Sequence, residues 1–347
     1  MIFAFCNEIK LRRPEIEDYE VIKTIYFGGG TPSVLAVDAL QFVIDTIYEN
    51  YIVADDVEIT IEANPDDLSS KTIKKLAKSK INRLSIGIQS FFDEDLHMMN
   101  RAHNAREALD TLQEAQHYFD NISIDLIYGI PGMSAERWKE NISIALAANV
   151  PHISCYALTV EPKTALEKLI EKGAIPAVDD ALAQQHFEIL VDALEKEGFI
   201  HYELSNFGKP DYFSKNNTAY WQGKNYLGIG PAAHSYINKK RSWNINNNSK
   251  YLKALQDNQL PSTAETLTTT DQYNEYIMTG LRTIWGVSLS YITTHFGDSY
   301  RLHALEQAQR HIDEHLLFID NNTLFVSQKG KFLCDGIASD LFLLNLD

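Results

Sequence analysis

An α/β fold carrying a mostly parallel sheet, followed by a C-terminal winged-helix-like α+β domain, is predicted by three features of the 347-residue sequence. Short segments rich in β-branched and aromatic residues recur through the first half. Segments of helical spacing lie between them, and almost every strand ends in residues unsuited to continuing it. In order, the strands are VIKTIYFGGG (21–30), VEITIEANP (57–65), INRLSIGIQS (81–90), ISIDLIYGIPG (122–132) and HISCYALTVEP (152–162). The intervening helical stripes are Leu40, Val43, Ile44 and Ile47, then Ile73, Leu76 and Ala77, then Ala108, Leu109, Leu112 and Ala115. Strands that read as apolar on both faces, alternating with helices, indicate a covered parallel sheet in a barrel or an open arrangement.

Past residue 165 the rhythm fades. A helix is expected at 180–197, where Phe187, Leu190, Val191 and Leu194 share one stripe. Residues 205–250, rich in Asn, Gly and Tyr, read as a loop region. From Thr270, three helical patterns precede a hairpin, HLLFID and TLFVSQKG, joined by Asn321 and Asn322, which tolerate turn conformations. The expected division is 1–255 for the barrel and its extension and 256–347 for the tail.

Composition limits the function classes. Hydrophobic residues make up 45% and charged residues 22%, ordinary globular usage, and the net charge of −16 repels nucleic-acid backbones and anionic lipid. Cys6, Cys155 and Cys334 form no close cluster, which argues against a disulfide scaffold and a local metal site. No apolar run approaches the roughly 20 residues of a membrane helix. The expectation is a soluble cytoplasmic protein with no integral membrane segment and no nucleic-acid partner.

In parallel α/β folds, ligands bind where the strands end at their carboxyl termini. Gly28, Gly29 and Gly30 before Thr31 and Pro32 let main-chain groups approach a ligand closely. Glu62 interrupts an apolar strand and requires a cation, a hydroxyl or an arginine, with Arg83 and Arg101 as the structural partners. Gln89 ends the third strand, Arg101 follows in the next loop and Asp125 stands inside the fourth strand. Together these side chains form a polar ring at one rim, suited to a polar, partly charged ligand. Histidines 97, 103, 303, 311 and 315 fall at helix-surface spacing and receive no role.

YFGGGTPS, EANPDDL, RLSIGIQSF, the arginine of MNRAH, DLIYGIPG and HYELSNFGKP…NNTAYW…GIGPAAHSY together resemble the oxygen-independent coproporphyrinogen III oxidase-like family of radical-SAM proteins. HYELSNF, AYW and GPAAHSY are more similar to its heme-chaperone branch. The resemblance implies an open TIM-like (β/α)6 barrel, S-adenosylmethionine and a 4Fe-4S cluster, heme or porphyrin as a partner, and heme-acceptor proteins. It also implies that Gly29, Gly30 and Thr31 hold the methionyl amino group and that Glu62 contacts S-adenosylmethionine. Gln89, Arg101 and Asp125 then line that site or a neighbouring one. Asn217, Tyr220, Trp221 and His234 are implied to face heme.

Two departures accompany the resemblance. The family's C-x3-C-x2-C motif does not occur in this sequence, and MIFAFCNEIKLRR aligns with the helix that follows it. The chain as given is therefore expected to lack the first barrel strand, to leave 21–27 as a sheet edge, and to hold no cluster. Secondly, Asn216 stands where the heme-chaperone branch has histidine before Asn217, and an amide is a poor iron donor. His234 is a substitute ligand, or a core histidine bonded to backbone. The functional expectation is a heme chaperone, inactive in radical chemistry without the cysteine loop. Oxidative decarboxylation of coproporphyrinogen III is the enzymatic alternative, and nucleic-acid binding by the winged-helix-like tail is the binding alternative.

Overall fold

The computed structural model describes residues 1–344. Along the chain run α1 (Ile2–Leu11), β1 (Val21–Phe27), α2 (Val37–Asn50), β2 (Ile52–Ala63), α3 (Ser70–Leu76), β3 (Arg83–Gln89), α4 (Asp93–Met98), α5 (Ala105–Gln116), β4 (Ile122–Tyr128), α6 (Ala135–Ala147) and β5 (His152–Ala157). They are followed by α7 (Ala165–Glu171), α8 (Asp180–Lys196), β6 (Ile200–Glu203), β7 (Asn206–Gly208), α9 (Lys215–Trp221), β8 (His234–Ile237), β9 (Lys240–Asn244), α10 (Asn248–Gln256) and β10 (Ser262–Thr266). The tail holds α11 (Thr269–Leu281), β11 (Val287–Ser288), α12 (Leu289–Phe296), α13 (Asp298–Asp313), β12 (Leu317–Asp320), β13 (Thr323–Val326) and α14 (Cys334–Asp340).

Contacts divide these elements into two compact units. One comprises 23–41 and 56–214, and the other comprises 1–22, 42–55 and 215–347, whose last three residues, 345–347, lie outside the described residues.

The first unit is built on a seven-stranded sheet of order β1-β2-β3-β4-β5-β7-β6, with β1 at one edge. Strands β2 to β5 are parallel in sequence order, as the strand–helix alternation requires. β7 pairs antiparallel with both β5 and β6, so β6 follows the direction of β5 but is separated from it by an inserted strand. HYELSNF is thus the β6–β7 turn, which closes the end of the sheet.

The two faces of the sheet differ, unlike the doubly apolar strands expected. Ile59, Ile61, Leu84, Ile86, Ile88, Ile122, Ile124 and Leu126 are buried on one side. In-register Glu62, Ser85 and Ser123 lie on the other, as do Thr60, Arg83, Asp125, His152 and Ser154. Period-two alternation separates the sets. The polar side chains tolerate burial because they pair with one another: His152 bridges the Ser123 hydroxyl at 2.7 Å and the Tyr202 hydroxyl at 2.8 Å, and Ser154 bonds Asn206 at 2.7 Å. Burial holds His152 well below the usual histidine range, so the bridge uses a neutral ring.

On the helices, caps set the starts: Ser69, Asn104, Ser134 and Asp179 each accept from main-chain N–H groups in the first turn, and Glu107 completes a capping box on α5.

In the second unit, the part of 205–250 read as a loop region instead carries α9, β8 and β9, and the two strands join β10, which lies beyond that region, in a sheet of order β10-β9-β8. Its strands were not legible because two lack an apolar alternation: hydrogen-bonded Ser235 and Asn244 fill the buried positions and Ser242 lies half-buried beside them. Glu8 of α1 and Arg12, the residue that follows the helix, reach beneath it, both almost wholly buried. Glu8 accepts from Gly230 N–H at 2.9 Å, Asn244 Nδ2 at 2.6 Å and the Tyr251 hydroxyl at 2.5 Å. Arg12 donates to Gly228 O, Ser235 Oγ, Ser242 Oγ and Glu15. The tail forms the expected three helices and hairpin, with β11 added to give the order β11-β13-β12. Asn321 and Asn322 both take positive φ in the hairpin turn, 45° and 60°.

Two histidines depart from the expected helix-surface placement. His103 is buried in a loop, its Nε2 3.1 Å from Ile88 O, and His311 is buried with its Nε2 3.1 Å from Asp340 Oδ2.

Candidate functional site

The carboxyl ends of β1 to β4 bring most of the expected ring together. β1 ends because Gly29 and Gly30 take φ of 75° and 66°, a region that suits glycine. Both glycines are exposed and a side chain on either would meet open space. At Gly28, an added Cβ would lie 2.5 Å from the Tyr26 ring and 2.8 Å from Glu62 Oε1. That contact explains the glycine: Tyr26 and Glu62 occupy the space.

Glu62 pairs with neither Arg83 nor Arg101. Its Oε1 accepts from the Tyr26 hydroxyl at 2.7 Å, and its Oε2 accepts from Gly29 N–H at 3.0 Å. Arg83 is committed to buried Glu58, 3.9 Å away on the neighbouring strand. Arg101 donates to Asn64 Oδ1 at 2.5 Å and to Gly87 O at 3.4 Å. The physical reason is register: Thr60, not Glu62, lies opposite Arg83, and Arg101 enters from the loop after β3. Burial and the neighbouring Glu62 charge push the Tyr26 hydroxyl far above its ordinary range, so it remains a donor.

Gln89 takes a positive φ of 68°, and its amide lies 2.8 Å from where a Cβ on Gly87 would be. Gln89, Arg101 and Asn64 thereby converge over Gly87. Asp125 stands half-buried on the polar face, 3.5 Å from Ser85 Oγ. Thr31 starts the turn after the glycines, half-buried, and its carbonyl accepts from Val34 N–H at 3.3 Å. Tyr26, Asn64 and Ser85 were missed by sequence reasoning; strand-end position signals Asn64, whereas nothing local signals the Tyr26 contact.

Burial, then the Glu62 charge, raises the Asp125 carboxyl to about 6. This lies above the roughly 3.9 of an unfolded aspartate, so the protonated form favours folding. Its contribution is complete below about pH 4 and is lost as pH rises through 6. Asp125→Asn is therefore expected to stabilise the protein at pH 7 by about 1–2 kcal/mol and to have little effect at pH 4. Thermal melts at the two pH values check this.

The four residues expected to face heme lie in the other unit. Asn217, Tyr220 and Trp221 share one face of α9 by their i, i+3 and i+4 spacing. The Trp221 ring is edge-on to Tyr220 at 5.5 Å and lies under the Arg282 guanidinium at 5.1 Å. Tyr220 continues to Tyr226 at 5.2 Å and then Tyr236 at 6.3 Å, with Tyr226 and Tyr236 bridged through their main chains. His234, two residues before Tyr236 on β8, shares that strand face. It is exposed rather than a core histidine bonded to backbone, because β8 lies at the sheet edge and turns Ser235 inward instead.

The comparisons agree with this architecture. The radical SAM superfamily model matches residues 7–171 and the HemN C-terminal domain model matches 267–333. The heme chaperone HemW of Lactococcus lactis is 34% identical, with 93% of this chain and 88% of the relative covered. The heme chaperone HemW of Bacillus subtilis is 32% identical over 90% of this chain and 83% of its own. Among solved structures, coproporphyrinogen III oxidase (HemN) from Escherichia coli superposes with a TM-score of 0.83 at 22% identity, covering 98% of this chain and 82% of the other. That likeness shows the fold: an α/β radical-SAM partial barrel with a C-terminal α+β domain. On the sequence relationships, this chain belongs to the HemW family of radical SAM proteins.

Proposed function

We propose that this protein is a cytoplasmic heme chaperone that binds heme and passes it to acceptor proteins. The observation that carries the reading is the 34% identity to a heme chaperone across nearly the whole of both chains. The row of rings from Trp221 through Tyr220 and Tyr226 to Tyr236 supports it, since aromatic faces suit a planar macrocycle. Asn217 and His234 complete the proposed heme-facing set. The domain division proposed is 1–255 and 256–347, and the HemN C-terminal match lies within the second part. That match, to a family domain of its own kind, gives the nucleic-acid reading no support. Among the described residues, no helix is long and apolar enough to cross a membrane.

Family membership also implies S-adenosylmethionine and a four-iron four-sulfur cluster. The residues present fit the first: the exposed glycine turn of Gly29 and Gly30, with its carbonyl acceptors, and the Glu62 carboxylate suit an ammonium or hydroxyl, and Arg101 suits a carboxylate. Thr31, Gln89 and Asp125 would complete the lining. Bound there, S-adenosylmethionine supplies the adenosyl group on which the superfamily's radical chemistry rests. The residues present do not fit the cluster. Cys6, Cys155 and Cys334 are buried in three separate elements, and among the described residues no group of three His, Cys, Asp or Glu is placed to hold a metal.

The test is heme transfer. Protein preloaded with hemin is mixed with an apo-hemoprotein acceptor, and the acceptor's own Soret band is followed. Its appearance, faster than from an albumin-bound hemin control, is expected; failure of the loaded protein to release heme to any acceptor contradicts the chaperone reading.

A further inference from the structure

We infer that Asn141 and Ser90 are positioning residues that hold Gln89 in a strained turn, so that its amide faces S-adenosylmethionine; this rests on the reading of that site given above. The strain has a specific seat. Ser90 N–H donates to Ile88 O at 2.9 Å across a Gln89 φ of 68°. A three-residue turn with that hydrogen bond and a positive central φ is the rare, strained form of the γ-turn. Residues with a Cβ avoid it, and it persists only where the surroundings enforce it. The turn also re-aims a side chain, as bulges beside binding sites do. Between Ile86 and Gln89 the β3–β4 register slips by one residue, so Gln89 stands opposite Leu126 of the apolar set. Its amide nevertheless lies over Gly87, on the polar face beside Arg101 and Asn64.

The fold itself makes no use of that amide. Gln89 is half-buried, and its side chain makes no hydrogen bond among the described residues. Packing gives no reason to keep a strained backbone under a side chain that bonds nothing. A ligand at the strand ends gives one, because a polar group fixed in place beforehand need not be ordered on binding.

The enforcement comes from α6 and the loop after β3. Asn141 Oδ1 accepts from Phe91 N–H at 2.7 Å and lies 3.2 Å from Ser90 Oγ. Ser90 Oγ donates to Asp95 Oδ2 at 2.7 Å and accepts from Phe92 N–H at 3.1 Å, while Arg137 pairs with Asp95 Oδ1 at 3.3 Å. His103 Nε2 lies 3.1 Å from Ile88 O, the carbonyl that also accepts from Ser90. Residues 90 to 92 are thereby tied to α6, and the turn cannot relax without breaking bonds between buried groups. Asn141 and Ser90 are themselves fully buried, so they act through Gln89 and not on the ligand.

The full chain is titrated calorimetrically with S-adenosylmethionine, and melted, as wild type, Gln89→Gly, Gln89→Ala, Asn141→Ala and the variant carrying both Gln89→Ala and Asn141→Ala. Gln89→Gly should melt a few degrees above Gln89→Ala, because glycine takes the positive φ without strain. Each single variant should weaken binding about tenfold, and Asn141→Ala should change it by less than about twofold once the Gln89 amide is gone. Should Asn141→Ala fail to fold, Ser90→Ala takes its place in the cycle. Losses that multiply in the double variant overturn the positioning role while the ligand reading stands. A Gln89→Gly melt no higher than that of Gln89→Ala overturns the strain. If wild type binds no S-adenosylmethionine, both readings fall.

Discussion

Replacing Glu8 with alanine is expected to destabilise the protein by about 3–5 kcal/mol, because it removes the shared acceptor of three hydrogen bonds and leaves their buried donors unpaired. The Glu8 side chain is fully buried and Arg12 is 2% exposed, with Arg12 Nη1 3.6 Å from Glu8 Oε1. The carboxylate is saturated by Gly230, Asn244 and Tyr251, so three donors lose their acceptor together. Unpaired buried donors are costly in their own right. Glu8→Gln keeps the volume, but turns an N–H group toward a donor and is expected to recover only part of the loss. Urea denaturation monitored by tryptophan fluorescence reads the difference. A change below about 1 kcal/mol for Glu8→Ala contradicts the role assigned to this network.

Glu62→Ala is expected to weaken S-adenosylmethionine binding by about tenfold to a hundredfold, equivalent to about 1.4–2.8 kcal/mol. A charge-assisted hydrogen bond from a ligand ammonium or hydroxyl is worth about 1.5–3 kcal/mol. The variant acts on the protein as well. Tyr26 and Gly29 N–H both lose their acceptor, so the glycine turn is no longer tied to β2. Gly28→Ala should imitate this second effect, since its Cβ would displace the Tyr26 ring from Glu62. Isothermal titration calorimetry with S-adenosylmethionine provides the measurement. Equal dissociation constants for wild type and Glu62→Ala contradict the proposed contact.

The succession of strands and helices was legible because buried strands and amphipathic helices carry different periods, and β1 to β5 lie where those periods place them. Chirality and covered burial then leave few ways to arrange a parallel sheet. The ring at the strand ends was legible for a related reason: Glu62, Gln89 and Asp125 interrupt apolar strands. Their partners were not. Glu62 meets Tyr26 and Gly29 rather than an arginine, because pairing across strands depends on register and loop path, which no local pattern encodes.

The polar face of the sheet was misread for the opposite reason. ISID and RLSIG contain enough apolar residues to resemble continuous runs, yet Ser85, Ser123 and Asp125 all fall on one side. Strands β8 and β9 escaped notice since their inward residues are serines and an asparagine, which Glu8 and Arg12, more than 200 residues away in sequence, satisfy.

Titration of hemin into the purified full chain, followed at the Soret band and by the number of hemins bound per chain, probes the heme reading at its base. Saturable binding of one equivalent, weakened when Tyr220 and Trp221 are both replaced by alanine, is the expected result. Absence of saturable binding, or binding indifferent to those rings and to His234, would contradict it.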